Sequence, residues 1–382
     1  MNNFTLASGR KYAVGLVILG AIGAVLGLML APAEFYRAYL IGFVYWSGFA
    51  LGGLGLLLLH HLVGGNWGFV TRRFYEGAAR TLPLLAVLLI PLLIGIPHLY
   101  PWANQGAVAK SEILQHKQPY LNVPFFIGRL VSYFLVWFAI SWIANRWSRE
   151  QDTTGNPDYI RRFRAFSGPA LIVHVFVVTF AAIDLLMTLE PDFFSTIFGA
   201  VILVGHVLAT IALTIILLVL LEPQTPLNEV LGTQHLHDLG NLLLAFTMFW
   251  AYVEISQFII IWHGNLPEEV PWYIRRSHNG WEYVTAFLAL FHFVIPFLVL
   301  LNRFVKRRAA TLLWVAAMIL IMRWVDLVRI VRPAFWPSVG AHWMDIVIPL
   351  GIGGIWLAFY FWELGKQPIL PRGDVRFSPE GA

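Results

Sequence analysis

The chain contains ten runs of mostly apolar sequence, each of about the length a helix needs to cross hydrocarbon. Crossing about 30 Å takes roughly 20 residues at 1.5 Å each. The runs fall at about 12–30, 37–62, 77–97, 123–146, 166–189, 193–221, 238–262, 280–302, 310–331 and 341–363. Peptide groups find no partner in lipid, so segments of this kind fold as helices. Composition agrees. Residues are 58% hydrophobic and 12% charged, against about 25% charged in a soluble domain. The expected fold class is an all-α polytopic membrane protein with ten transmembrane helices. It forms a single integral-membrane domain over 1–382. Connections are short apart from 98–122, 147–165 and 263–279, which leaves no segment for a soluble domain.

The net charge of +5 does not point to nucleic acid, because the basic residues lie between the apolar runs. Most of the 26 lysines and arginines fall in the tails and in the loops from even to odd spans. That bias puts both termini in the cytoplasm. Arg129 and Arg323 instead lie inside spans. One alternative stays open at the N-terminus. Arg10 and Lys11, an apolar run and "APA" at 31–33 imitate a signal peptide and its cleavage site. The run exceeds the usual 7–15 residues of a signal core; cleavage would leave nine spans. The absence of cysteine excludes disulfides, thiolate-held iron–sulfur clusters, c-type haem attachment and cysteine-ligated zinc.

An internal repeat is visible. "DLLMTLEPDFF" from Asp184 and "DLVRIVRPAFW" from Asp326 share Asp-Leu, a proline at the same distance and an aromatic pair one residue on. Spans two to five (37–192) and six to nine (193–334) are therefore expected to form two parallel four-helix bundles, with 12–30 and 341–363 peripheral. Duplicated membrane folds place their polar groups at the interface between repeats.

A charge inside a span must face protein or water. Arg323, Asp326 and Arg329 recur every three residues on one helical face, where neighbours can pair. Asp184 has no such neighbour, and Arg129 in the fourth span is its expected partner. His174, His206 and His292 fall inside spans, and the seventh span carries Thr247, Glu254 and Gln257. His60, His61, His235, His237 and Asp238 cluster at the cytoplasmic ends. Titratable groups at several depths suit a proton relay, with these last five at its entry. Each histidine alone is more simply a packed core side chain. Two rivals remain: a b-type haem held by His174, His206 or His292, and a quinone pocket where Arg129, Asp184 and Glu254 meet Trp250 and Tyr252.

Four stretches carry a resemblance. They are "YWSGFALGGLGLLLLHHLVGGNWG" (45–68), "HLYPWANQGAVAKSEILQHKQPYLNVPFFIGR" (98–129), "IDLLMTLEPDFFSTIFG" (183–199) and "FWAYVEISQFIIIWHGNLPEEVPWY" (249–273). The sequence resembles the F subunit of bacterial alternative complex III, a quinol:electron-acceptor oxidoreductase. More distantly it is similar to the polysulfide-reductase membrane-subunit (NrfD-like) family. The resemblance implies a non-redox subunit with no catalytic centre, cofactor or metal of its own. Its implied partners are a C-type quinol-binding membrane subunit, a multihaem c subunit and an iron–sulfur subunit, in the bacterial cytoplasmic membrane. Quinol, c-type haems and iron–sulfur clusters would then belong to those partners. Proton conduction or structural support is the role implied for this chain. The family's His/Asp quinol pair would map to the fourth and fifth spans, where Arg129, Ser132 and Tyr133 stand without a histidine. A quinol-binding subunit, or an autonomous small-anion transporter or scaffold drawing on Arg129, Arg323 and Arg329, is the alternative.

Overall fold

The computed structural model describes residues 4–371 and Gly373. It is 82% helix, with no strand among the described residues. Ten helices are long and apolar enough to cross a membrane: α1 Leu6–Leu30, α2 Pro32–Val63, α3 Asn66–Ile94, α4 Val123–Thr154, α5 Asp158–Leu189, α6 Phe198–Leu221, α7 Thr233–Gly264, α8 Trp281–Leu301, α9 Ala309–Ala334 and α10 Met344–Leu364. Arg372 and Arg376, counted among the basic residues of the C-terminal tail, lie outside the described residues.

Local chemistry sets the helix ends. Thr5 and Ser8 cap α1 reciprocally, satisfying two amides that the first turn leaves free. Pro32 opens α2 one residue after α1 ends, a position where its missing N–H costs nothing. Asn122 caps α4 through the Phe125 amide, and Gly155 ends it in the left-handed region at φ 62°, where only glycine escapes a steric cost. Prolines 83, 91 and 97 punctuate the end of α3, and each begins a fresh helical piece. In α8 the residues Ala289–Val294 form a π-helical turn.

Helices α2 and α6 are the core, buried nearly all round. Around α2 pack α3, α5, α6, α9 and α10; around α6 pack α2, α5, α7 and α9. Helices α7 and α8 adjoin each other, as do α8 and α9. The expected peripheral pair is unequal. α10 lies against α1, α2 and α3, whereas α1 meets mainly α10. Their contact runs through glycine: a Cβ on Gly20 or on Gly351 would strike the other's Cα. Small residues let helix backbones approach this closely where apolar burial gives no drive.

The third span begins earlier than its apolar run predicts. Arg72, Arg73 and Glu76, read as loop charges, are helical and fully buried. Arg72 Nε donates to Glu76 Oε1 at 2.8 Å and Arg73 Nη1 to Oε2 at 2.6 Å. Ser148 of α4 donates to Glu76 Oε1 at 2.6 Å, and Asp152 pairs with Arg73. Mutual neutralisation lets these charges leave water.

Candidate functional site

Two buried acids stand at the repeat-related positions, each held by arginine in its own way. Asp184 of α5 accepts Arg129 Nε on Oδ2 at 2.9 Å and Nη2 on Oδ1 at 2.8 Å. The Tyr133 hydroxyl donates to Oδ2 at 2.8 Å, and Tyr120 to Oδ1 at 3.3 Å. Arg129 also lies 3.8 Å over the Tyr120 ring and donates to its carbonyl at 2.9 Å. Burial and the Asp184 charge push the Tyr120 phenol up from its ordinary value. The carboxylate therefore has four donors, two of them a planar fork.

Asp326 of α9 takes Arg323 Nη1 on Oδ2 at 2.6 Å and Arg329 Nη2 on Oδ1 at 3.3 Å. Arg329 Nη2 also reaches Glu254 of α7 at 2.9 Å. Two arginines and two acids thus close a buried quartet. Arg323 extends it into the core: Nη2 meets the Ile202 carbonyl of α6 at 3.3 Å, and a Cβ on Gly205 would strike its guanidinium.

His206 follows Gly205, the residue against which the Arg323 guanidinium packs. It sits over Gly48 of α2, where a side chain would collide with its ring. His174 is buried and approaches the Leu51 backbone without closing a well-formed hydrogen bond. His292 lies in the π turn, perpendicular to Trp250 with ring centres 4.3 Å apart. Asp326, Arg323 and Arg329 all act on it electrostatically.

A small cavity of about 30 Å³, walled mostly by apolar side chains, separates the Asp184 cluster from His206, with Tyr133 on one wall and His206 on another. Ser47 and Trp137 are its other polar-bearing wall residues. A cleft of about 450 Å³ opens beside the quartet, lined by α7, α8, α9 and residues 273–277, with Glu254 and Arg329 in its wall.

The expected quinone pocket at α4, α5 and α7 is not formed. Arg129 and Asp184 line neither wall of the cleft that Glu254 faces, because α7 packs on α6 and α8 rather than on α4. Tyr252, assigned to the same pocket, is 66% exposed on the outer face. Gln257 is buried but turned to Ser195 and Tyr273, at 3.0 and 3.1 Å. Thr247 donates to its own helix at Leu243.

The five end-group residues divide. His60 and His61 are buried under the start of α3, His60 against Trp67 and His61 stacked on Phe163 at 3.9 Å. His235, His237 and Asp238 remain partly exposed at the start of α7, where His235 Nδ1 accepts the Gly232 amide at 3.2 Å. No group of three or more His, Cys, Asp or Glu among the described residues is placed to hold a metal ion.

Sequence reasoning missed Glu190 and Arg276. Arg276 Nη2 donates to Glu190 at 2.8 Å while its guanidinium stacks 3.6 Å over Trp272. Burial pulls Arg276 down to about 10, which leaves it charged at neutral pH. Both residues lie in connections that carry no helical period, and the "RR" at 275–276 was the sole signal.

No family model matches the sequence, and no curated protein matches it.

Proposed function

We propose that the chain is a multi-pass subunit of the bacterial cytoplasmic membrane, with both termini cytoplasmic. It serves a quinol:electron-acceptor oxidoreductase as a non-redox member that gives structural support and a path for protons. Quinol, c-type haems and iron–sulfur clusters belong to its C-type, multihaem and iron–sulfur partners. The respiratory setting rests on the resemblance of the four stretches named above. Membrane insertion is supported by ten apolar helices whose outward faces are apolar. In this reading α2–α5 and α6–α9 are parallel repeats, a view supported by the ring of neighbours within each set.

The observation that carries the proton path is the line Glu254, Arg329, Asp326 and Arg323 across α7 and α9, with His206 of α6 next to the Gly205 on which Arg323 packs, and His206 and His174 against Gly48 and Gly55 on one face of α2. Proton transfer needs groups, or water, at successive short steps, and intramembrane acids and histidines supply them in proton-moving proteins. The arginines do not carry the proton; they set the charge against which Glu254, Asp326 and His206 exchange it. Asp184 joins from the other half through Tyr133 and the cavity, which has room for about one or two waters beside the unpartnered Trp137 N–H. Both acids thereby converge on His206 at the contact between the halves.

The test is proton release per electron in the assembled complex, reconstituted in vesicles, with Glu254→Gln and His206→Asn. Quinol oxidation is expected to continue while proton release per electron falls. An unchanged ratio in both variants would remove the path and leave only the structural role.

A further inference from the structure

The wide cleft beside the quartet has walls of its own that the relay does not use. Trp250, Phe258, Trp262, Tyr273 and Phe293 face it, and Ile255, Phe258 and Trp262 on its rim are exposed. It therefore opens sideways, along the length of α7, rather than toward either end. Its size, about 450 Å³, admits a ring and the start of a chain. The π turn of α8 borders it through Ala289 and Phe293, and such turns gather at functional sites.

The charges of the walls are already spent. Arg276 donates Nε to the Arg329 carbonyl at 3.1 Å and Nη1 to Trp272 at 2.8 Å. Its Nη2 is divided between Glu190 at 2.8 Å and the Ile330 carbonyl at 2.7 Å. Arg329 gives Nη2 to both Glu254 and Asp326, while its Nε is buried without a partner. Three further groups stay open. Glu254 accepts on Oε2 from Arg329, leaving Oε1. Tyr273 accepts from Gln257 and keeps its own proton to give, since burial pushes its phenol up. Trp250 is 5% exposed and its indole N–H has no acceptor.

We propose that this cleft binds a neutral amphiphile with a hydroxyl- or carbonyl-bearing headgroup, its apolar tail passing out beside α7. A hydroxyl donates to Glu254 Oε1, and an oxygen of the same headgroup accepts from Tyr273 or Trp250. An anionic headgroup would meet the Glu254 carboxylate beside an arginine whose charge is already shared between two acids, an arrangement that desolvation penalises. The proposal rests on the membrane reading above but not on proton transfer.

The experiment is native mass spectrometry of the full chain purified in detergent, with three probes: a short-chain benzoquinol, dioctanoylglycerol and dioctanoyl phosphatidylglycerol. One or both neutral probes should be retained and the anionic one not. At least one of Tyr273→Phe and Trp250→Phe, the one whose donor the headgroup uses, should weaken retention roughly five-fold, about one hydrogen bond, in protein that remains folded. Preference for the quinol identifies a ring headgroup; preference for the glyceride identifies a lipid hydroxyl. Equal retention of the anionic lipid, or neutral binding untouched by both variants, overturns the proposal. Alkaline carbonate extraction reads the membrane premise separately. Release of the chain there sinks that premise, whereas a membrane-retained chain that binds no neutral probe sinks the cleft alone.

Discussion

Asp184 accepts four hydrogen bonds, two of them from Arg129, and that shapes what its loss should do. Arg129 is 9% exposed and Asp184 fully buried, so Asp184→Asn leaves a guanidinium with no countercharge. Breaking one side of a buried pair costs about 3–5 kcal/mol. The expected result is a clearly lower Tm of the purified chain. Arg129→Lys keeps the charge but loses the two-pronged contact, and should fall between the two. An unchanged Tm in Asp184→Asn would mean that the pair does not hold α4 to α5. This pairing was legible in the sequence because ionised groups inside spans are few and each needs a partner. The hydroxyls of Tyr120 and Tyr133 were not legible, since in a chain with 13 tyrosines nothing marks which ones turn inward. Glu254 was misplaced for a related reason: its depth could be read, but depth alone does not say which helices surround it.

Helices were easier to find than to bound. The apolar runs located all ten long helices, yet α3 starts eleven residues before its run, at Asn66. "TRRFYEG" looks solvated by composition, and only the spacing of Arg72 and Arg73 to Glu76 betrays a helix whose charges cancel. The contact of α1 with α10 left no charge to read; its signal was the small residues Gly9, Ala13, Gly20, Gly23 and Gly27, which recur at helical spacing on one face. It gives a direct prediction, because the chain has no cysteine of its own. A Cβ placed on Gly23 would lie 3.5 Å from the Val347 Cβ, within the range that a disulfide spans. Gly23→Cys with Val347→Cys should therefore form a bond on mild oxidation, seen as a reductant-sensitive shift in gel mobility. Absence of the shift would mean that α1 does not lie along α10. Gly351→Leu should loosen the same contact and expose the α1–α2 junction near Ala31 to protease, since its side chain has only the Gly20 backbone to meet.

At the scale of the molecule, the question is whether the repeat makes two domains or one. Each set of four helices closes on itself, which argues for two, but the polar contacts that cross the division argue for one. Trp46 of α2 donates to the Pro349 carbonyl of α10 at 2.7 Å, and Tyr45 to the Leu320 carbonyl of α9 at 3.1 Å. Arg80 of α3 pairs with Glu363 of α10 at 3.1 Å, and Arg332 at the end of α9 pairs with Glu34 of α2. Alone, a fragment ending near residue 192 would keep Arg80 without Glu363, Glu34 without Arg332, and the apolar face of α2 without α6. Each such loss leaves a group without its partner, where unpaired charge is most costly. Co-expressed fragments 1–192 and 193–382, with a tag on one only, should therefore copurify, while each expressed alone should be degraded or aggregate. A first fragment that accumulates folded by itself would show that the halves are independent, and that the line through His206 joins two domains and not one interior.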